Sequence, residues 1–198
     1  MYLPVGIQTT SAERILTTAL DQFATKGYDA TSVREICEAA GITKPTLYHF
    51  FGSKDGVLQA LVQTGLQQYR ALVNAAMDTP GSFQDRVTVL ARAVFASASS
   101  KPLFWRFIHS VIWAPPGTAL PQAASCTQFY DGVVGVLAAA ADKAVARGEI
   151  APGPTGARML ILMGAISEAA TGFVIAGKPE LTPELADDIV ETIFNGWQ

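Results

Sequence analysis

Apolar residues recur every three to four positions along most of the chain, and no stretch alternates apolar and polar residues over the length of a strand. This pattern predicts an all-α protein with about nine helices. Two helix starts have the capping-box spacing, at Thr10 with Glu13 and at Ser32 with Glu35. The first helix is therefore expected to begin after Thr10 and to end at Gly27.

Residues 31–51 predict two short helices joined by a tight turn at Gly41, which is the arrangement of a helix-turn-helix. Thr43 can cap the second helix, and its first turn tolerates Pro45. Leu47 and the Phe50–Phe51 pair are expected to face inward. In such a motif the N-terminal part of the second helix meets base edges in the DNA major groove. The predicted base contacts are the outward residues Lys44, Pro45, Thr46 and His49.

Phosphate contacts are expected at helix starts, because free amides and the positive end of the helix dipole point outward there. Thr31 and Ser32 occupy one such start, and Ser53 with Lys54 occupies another. The hydroxyl of Tyr48 can also reach a phosphate.

The order and spacing of these residues resemble the DNA-binding domain of the tetracycline-repressor-like (TetR) family over about residues 10–62. The resemblance is carried by the segments TSVREI at 31–36, AGITK at 40–44, TLYHFF at 46–51 and SK at 53–54. It implies a homodimeric transcriptional regulator, usually a repressor, that a small ligand releases from its operator. It also implies base contacts at the four residues named above. The implied phosphate contacts are Thr31, Ser32, Arg34, Tyr48 and Lys54.

We expect two domains, with a DNA-binding domain over 1–53 and a helical ligand-binding and dimerisation domain over 54–198. An aromatic helix near residues 102–114 offers either ordinary core packing or part of an apolar ligand cavity with a few polar groups. The candidate cavity residues are Trp105, Arg106, His109, Trp113, Phe129 and Tyr130.

The helix predicted over 155–176 has five consecutive apolar residues, 159–163, so apolar side chains point in every direction around it. Glu168 interrupts the longer apolar stretch from Met159 to Ala176, which argues against a membrane span. Such a helix is either buried within one subunit or pairs with a second copy, and we expect a two-fold four-helix interface with the last helix. The predicted interface residues are Met159, Leu162, Met163, Ile166, Ile189, Ile193 and Phe194.

Composition limits the other classes of function. Charged residues make up 16% of the chain and the formal net charge is −3, which argues against a basic protein that coats nucleic acid without sequence preference. The two cysteines and two histidines have no metal-ligand spacing, and neither a phosphate-binding loop nor a nucleophile elbow is present. We therefore expect no catalytic residues, no metal and no cofactor, and a cytoplasmic location.

Two alternatives remain open at this stage. One is an all-α small-molecule carrier or enzyme that uses His109, Arg106 and Glu168 in a C-terminal cavity. The other is a protein-interaction module in which the helix-turn-helix is only a structural corner.

Overall fold

The computed structural model describes the backbone of residues 10–112 and 123–196, and the side chains of these ranges except at 112 and 123–131. Within these ranges the structure has nine helices and no strand, so the predicted all-α class is confirmed. The helices are α1 (Ser11–Lys26), α2 (Val33–Ala40), α3 (Lys44–Phe51), α4 (Lys54–Met77), α5 (Phe83–Ser100), α6 (Pro102–Ile112), α7 (Ala123–Ala146), α8 (Thr155–Ala176) and α9 (Pro183–Asn195).

The chain forms two compact units. Of the described residues, the first unit contains 10–65 and 107–112, and the second contains 66–106 and 123–196. The boundary predicted between residues 53 and 54 separates α3 from α4, whereas the first unit continues to residue 65.

The first unit is built around the apolar faces of α1, α2, α3 and the start of α4. Ile15, Ile36, Leu47 and Leu58 are fully buried there. The ring of Phe107 stacks on Phe23 with 6.3 Å between the centroids. Burial of such side chains is the main source of stability for helices as short as α2 and α3, which are marginal in isolation.

Glycines allow two tight connections, the turn between α2 and α3 and the junction between α3 and α4. Gly41 has the left-handed conformation, with φ 62° and ψ 42°, which an L side chain rarely adopts. Gly56 lies in the first turn of α4, where a Cβ atom would overlap the carbonyl oxygen of Phe51 at the end of α3. Both positions therefore exclude a larger residue without movement of the backbone.

In the second unit, α5 packs against α7, α8 and α9. The core includes the fully buried side chains of Leu90, Leu137 and Val190. Polar contacts support the packing of α5 at its first residue and near its middle. The amide of Phe83 donates to Glu149 at 2.6 Å, and Arg92 pairs with Asp187 of α9.

The helix α8 is long and apolar enough to span a membrane, as judged by length and composition only, and its mean hydropathy is 1.8. Only 28% of its apolar window is buried in the structure, although the helix packs against α5, α7 and α9. A large part of this apolar helix is therefore half-buried or exposed in the single chain.

Candidate nucleic-acid interface

The turn between α2 and α3 has the hydrogen bonds of a regular helix stop and restart. The amide of Gly41 donates to the carbonyl of Glu38, and the amide of Ile42 donates to that of Cys37 at 3.0 Å. The hydroxyl of Thr43 then accepts from the amide of Thr46 and caps α3. The cap and the turn set the direction in which α3 leaves α2.

The outward side of α3 presents the residues that the sequence predicts for base contact. Lys44, Pro45 and His49 are exposed, whereas Thr46 is half-buried and shares a 2.8 Å hydrogen bond with the hydroxyl of Thr43. On the opposite side, Leu47 is fully buried and anchors the helix to the domain core. The structure therefore gathers the four predicted residues on the first turns of one exposed helix.

Phe50 departs from the sequence expectation, because 48% of its side chain is exposed rather than facing inward with Phe51. Both residues follow Leu47 at helical spacing, so the sequence pattern alone does not distinguish which of them packs inward. The ring of Phe50 makes an edge contact with His49 instead, with the centroids 5.3 Å apart. Phe50 is thus part of the exposed surface of α3 that the sequence reasoning missed.

Three of the predicted phosphate contacts lie where a phosphate can approach. Tyr48 is 48% exposed, and Ser32 is exposed at the start of α2. Arg34 is exposed as well, and its guanidinium forms a 2.7 Å ion pair with Glu38 one turn further along α2. An exposed pair of this kind is weak, so the guanidinium remains available to an incoming phosphate.

The other two predicted phosphate contacts, Thr31 and Lys54, bind backbone carbonyls, and the burial of Thr31 contradicts its predicted role. Thr31 is only 1% exposed, and its hydroxyl donates to the carbonyl of Gly27 at 2.8 Å. The ammonium of Lys54 donates to the carbonyls of Tyr28 and Thr31, each at 2.9 Å. Thr31 is therefore too buried for its hydroxyl to meet a phosphate, whereas the half-buried ammonium of Lys54 retains a third N–H donor.

The acidic residues of α2 are also paired. Lys26 of α1 lies 2.9 Å from Glu35, and Ser32 donates to the same carboxylate through its amide and its hydroxyl. The hydrogen bond from Lys26, followed by those from Ser32, lowers the pKa of Glu35 to about 2. The charge of Glu35 is thus offset locally, which reduces its repulsion of an approaching phosphate.

The residues predicted for a ligand cavity are only partly described. Trp113, Phe129 and Tyr130 lie outside the residues whose side chains the structure describes. Trp105 is half-buried, and its indole nitrogen donates to Ser97 at 3.3 Å. Arg106 is exposed and His109 is half-buried.

A cleft of about 280 Å³ opens between α4 and α7 in the second unit. Its walls combine apolar side chains with the amide of Asn74 and the guanidinium of Arg70. Gly132 lets that guanidinium lie close to α7, because a Cβ atom there would be 2.7 Å from it. The cleft is lined by Arg70, Val73, Asn74, Gly132, Val133 and Val136, a set that does not include Trp105, Arg106 or His109.

The predicted dimer interface is partly wrong. Four of its members face into the core of their own subunit, with 0–3% exposure, because α8 and α9 pack against α5: Met159, Leu162, Ile166 and Phe194. Met163, Ile189 and Ile193 are half-buried. The exposed apolar residues of α8 are instead Leu160, Ile161 and Ile175, at 56–59% exposure.

In the described part of the chain, no three His, Cys, Asp or Glu side chains are grouped so that they could hold a metal ion.

Comparison with known proteins agrees with this geometry. Residues 15–61, which include the whole helix-turn-helix, match the family of bacterial regulatory proteins called the tetR family. The chain is also 30% identical over 129 residues to the HTH-type transcriptional repressor KstR2 of Rhodococcus jostii (strain RHA1). That alignment covers 63% of this chain and 62% of the relative, so the chain spans a little under two thirds of the relative's length.

Solved structures of transcriptional regulators share this fold over nearly their whole length. The TetR family transcriptional regulator PfmR from Thermus thermophilus superimposes with a TM-score of 0.73 at 22% identity, covering 97% of this chain and 99% of that one. The regulator FadR from Bacillus subtilis, solved in complex with stearoyl-CoA, gives a TM-score of 0.79 at 18% identity, covering 93% and 98%. The resemblance to the tetR family predicted from the sequence is therefore confirmed: the family match covers the helix-turn-helix, and the fold is shared over nearly the whole chain.

Proposed function

We propose that this chain is a sequence-specific DNA-binding transcriptional regulator that acts in the cytoplasm, most simply as a repressor. The observation that carries the proposal is the exposed face of α3, which begins with Lys44 directly after the capped turn. The similar protein KstR2 is a transcriptional repressor, which supports repression rather than activation.

The proposed mode of binding places α3 in the major groove. The ammonium of Lys44 would donate to O6 or N7 of a guanine, and the methyl group of Thr46 would contact a thymine. His49 lies one turn after Pro45 on the same helix and would meet the next base step. Ser32, Arg34 and Tyr48 would hold phosphates and fix the register of the helix on the duplex.

Selection of genomic fragments with the purified protein, followed by mobility shifts, tests this proposal. We expect a small set of enriched fragments, tighter binding to them than to random duplex, and loss of binding when Lys44 and Tyr48 are both replaced by Ala. Lys143→Ala is the matched control, because Lys143 is an exposed cation on α7, far along the chain from α3. Enrichment of no fragment, or full binding by the double variant, would contradict the proposal. A small-molecule carrier would be indicated by ligand-induced tryptophan quenching in a protein that binds no DNA.

The exposed apolar face of α8 is proposed to bind a second copy of the chain. Ile161, Gly164 and Glu168 are spaced three and four residues apart and are all exposed, so they share one side of the helix. Gly164 permits close approach of a partner helix, and the half-buried Ile189 and Ile193 of α9 would extend the interface. A homodimer would present two copies of α3 to a pseudo-palindromic operator.

A small effector that releases the DNA is the last part of the proposal. The cleft beside Arg70 joins a cation to the apolar Val73 and Val136, which would suit an anionic amphipathic molecule. Because FadR was solved with stearoyl-CoA, that compound is the first probe, with coenzyme A and stearate as controls. A coupling of about 1–3 kcal/mol would weaken operator binding about 5- to 150-fold. Unchanged binding with all three probes would remove acyl thioesters and fatty acids as effectors.

A further inference from the structure

Lys54, on the first turn of α4, is held at the start of α2. Its ammonium donates to the carbonyls of Tyr28 and Thr31, each at 2.9 Å. The second of these carbonyls belongs to the peptide group that joins Thr31 to Ser32, the N-cap residue of α2. An ammonium group has three N–H donors, so one is left after these two bonds. Because Lys54 is half-buried and Ser32 is exposed, the remaining donor can serve a phosphate at this helix start.

The same ammonium lies against the aromatic ring of Tyr28. The distance from Nζ to the ring centroid is 4.1 Å, which is within the range of a cation–π contact. Tyr28 is buried, and burial together with the hydrogen bond to Asp55 raises the pKa of its hydroxyl above the ordinary value, so the ring is neutral. The attraction therefore acts through the face of the ring and requires no phenolate.

Contacts with α1 and α4 hold the ring of Tyr28 in place. Phe23 of α1 packs against it with the centroids 5.2 Å apart, and Phe107 of α6 stacks on Phe23 in turn. The hydroxyl of Tyr28 donates to the carboxylate of Asp55, the residue that follows Lys54 on α4. The ring has little freedom to move, so the ammonium that lies against it has a defined position.

We propose that Tyr28 is a positioning residue, whose ring fixes the ammonium of Lys54 at the start of α2 so that it meets a DNA phosphate without further ordering. This inference rests on the proposed DNA-binding function. A lysine side chain that moves freely in water loses rotamer freedom when it binds, which costs affinity. A side chain already held by a ring and two carbonyls has lost that freedom before the DNA arrives, so it binds more tightly.

A purely structural role of Tyr28 predicts a different behaviour. In that case removal of the ring weakens binding whether or not Lys54 is present, whereas the effect of a positioning residue disappears together with the ammonium. A double-mutant cycle separates the two roles, because its pairwise term isolates what Tyr28 does through Lys54. The cycle combines Tyr28→Leu with Lys54→Met, and Tyr28→Phe is the conservative variant that keeps the ring.

Affinity for the tightest selected fragment is measured over a range of salt concentrations, at a temperature at which each variant is folded. We expect Tyr28→Leu to weaken binding about 2- to 12-fold for each subunit, which is the cost of ordering one long side chain. The slope of log affinity against log salt should stay unchanged, because Lys54 still reaches its phosphate. Lys54→Met should lower that slope by about 0.9 per subunit. Tyr28→Phe should bind within about twofold of the wild type, because its ring still faces the ammonium.

The combined variant decides between the two roles. When Lys54 is already Met, Tyr28→Leu should weaken binding no further. Ile15→Val is the matched control, because Ile15 is fully buried on α1 in the same unit, and its effect should be the same with and without Lys54. An equal loss from Tyr28→Leu in both backgrounds, or no loss in either, would overturn the proposal.

The nuclear magnetic resonance spectrum of the free protein reports on the same contact without DNA. Protons over the face of an aromatic ring resonate upfield, so the ε-methylene protons of Lys54 should be shifted upfield in the wild type and in Tyr28→Phe. Their signals are assigned by their loss in Lys54→Met, and those of the exposed Lys143 give the unshifted position. Unshifted Lys54 signals in the wild type would overturn the proposal, and this result does not depend on the folding of Tyr28→Leu. If the wild-type protein selects no DNA, the proposed function fails, whereas the shift still decides whether the ring holds the ammonium.

Discussion

Replacement of Ile161 by Glu tests whether the outer face of α8 joins two subunits. The side chain is 57% exposed in the single chain, and Leu160 and Ile175 are exposed to a similar extent. Because the side chain points away from the core, the substitution should leave the subunit folded. Glu168 lies two turns further along the same side of α8, so a new carboxylate would also add repulsion between like charges.

The expected loss of dimer affinity in Ile161→Glu follows from the apolar area that a partner subunit would cover. Full burial of an aliphatic side chain is worth about 1.5–3 kcal/mol, so covering the exposed part of Ile161 is worth about 1–1.7 kcal/mol. The three exposed side chains of both subunits together would supply about 5–10 kcal/mol. Loss of Ile161 from both subunits removes about 2–3.4 kcal/mol, which corresponds to an increase in dimer dissociation constant of about 30- to 300-fold.

Sedimentation equilibrium over a concentration series measures this constant. The control is Val89→Glu, which places the same charge at an exposed apolar position of α5 and should leave the constant unchanged. A monomeric wild-type protein, or an Ile161→Glu protein that associates as tightly as wild type, would refute the dimer. Because α8 also has the length and apolarity of a membrane span, partition of the wild-type protein into vesicles instead of dimerisation would show that lipid covers this face.

Three further predictions concern the first unit. Leu47→Ala should destabilise it by about 2–5 kcal/mol in chemical unfolding, because the fully buried side chain leaves a cavity between α3 and the core; an effect below about 1 kcal/mol would contradict that packing. The ion pair with Lys26 holds the pKa of Glu35 at about 2 in the folded state, below its ordinary 4.5, so it stabilises the fold above pH 4.5 and the contribution is lost as the pH falls towards 2. Glu35→Gln should therefore reduce the fall in melting temperature as the pH is lowered below 4.5. The same fall in the variant and the wild type would contradict a stabilising Lys26–Glu35 ion pair. Gly56→Ala should cost about 1–3 kcal/mol and abolish DNA binding, whereas Gly135→Ala, at a helical position with open space, should be tolerated; equal tolerance of both would refute the close approach at the α3–α4 turn.

The helix boundaries were largely predictable because the signals that set them are local. The hydroxyl of Thr10 and the carboxylate of Glu13 form the capping box at the start of α1, and Ser32 with Glu35 does the same for α2. These bonds join residues three positions apart, so the spacing of the residue types already specifies them. The residues matched to the tetR family extend over the same local elements.

The orientation of helices and long side chains depended on partners distant in sequence. All sides of α8 are apolar, so only the positions of α5, α7 and α9 decide that Leu162 is buried and Ile161 is exposed. The ammonium of Lys54 reaches carbonyls 23 and 26 residues earlier in the chain, a contact that no short motif encodes. These burial patterns and long-range contacts could not be predicted from the sequence.

In the proposed complex α3 contacts base edges through its first turns. The most direct measurement compares the affinities of the wild-type and Lys44→Ala proteins for the selected duplex and for a set of its single-base-pair variants. We predict that Lys44→Ala loses discrimination of about 1–3 kcal/mol at one guanine position in each half of the operator and keeps it elsewhere. Uniform weakening at every position, or the same base preferences in both proteins, would contradict the placement of α3 in the major groove.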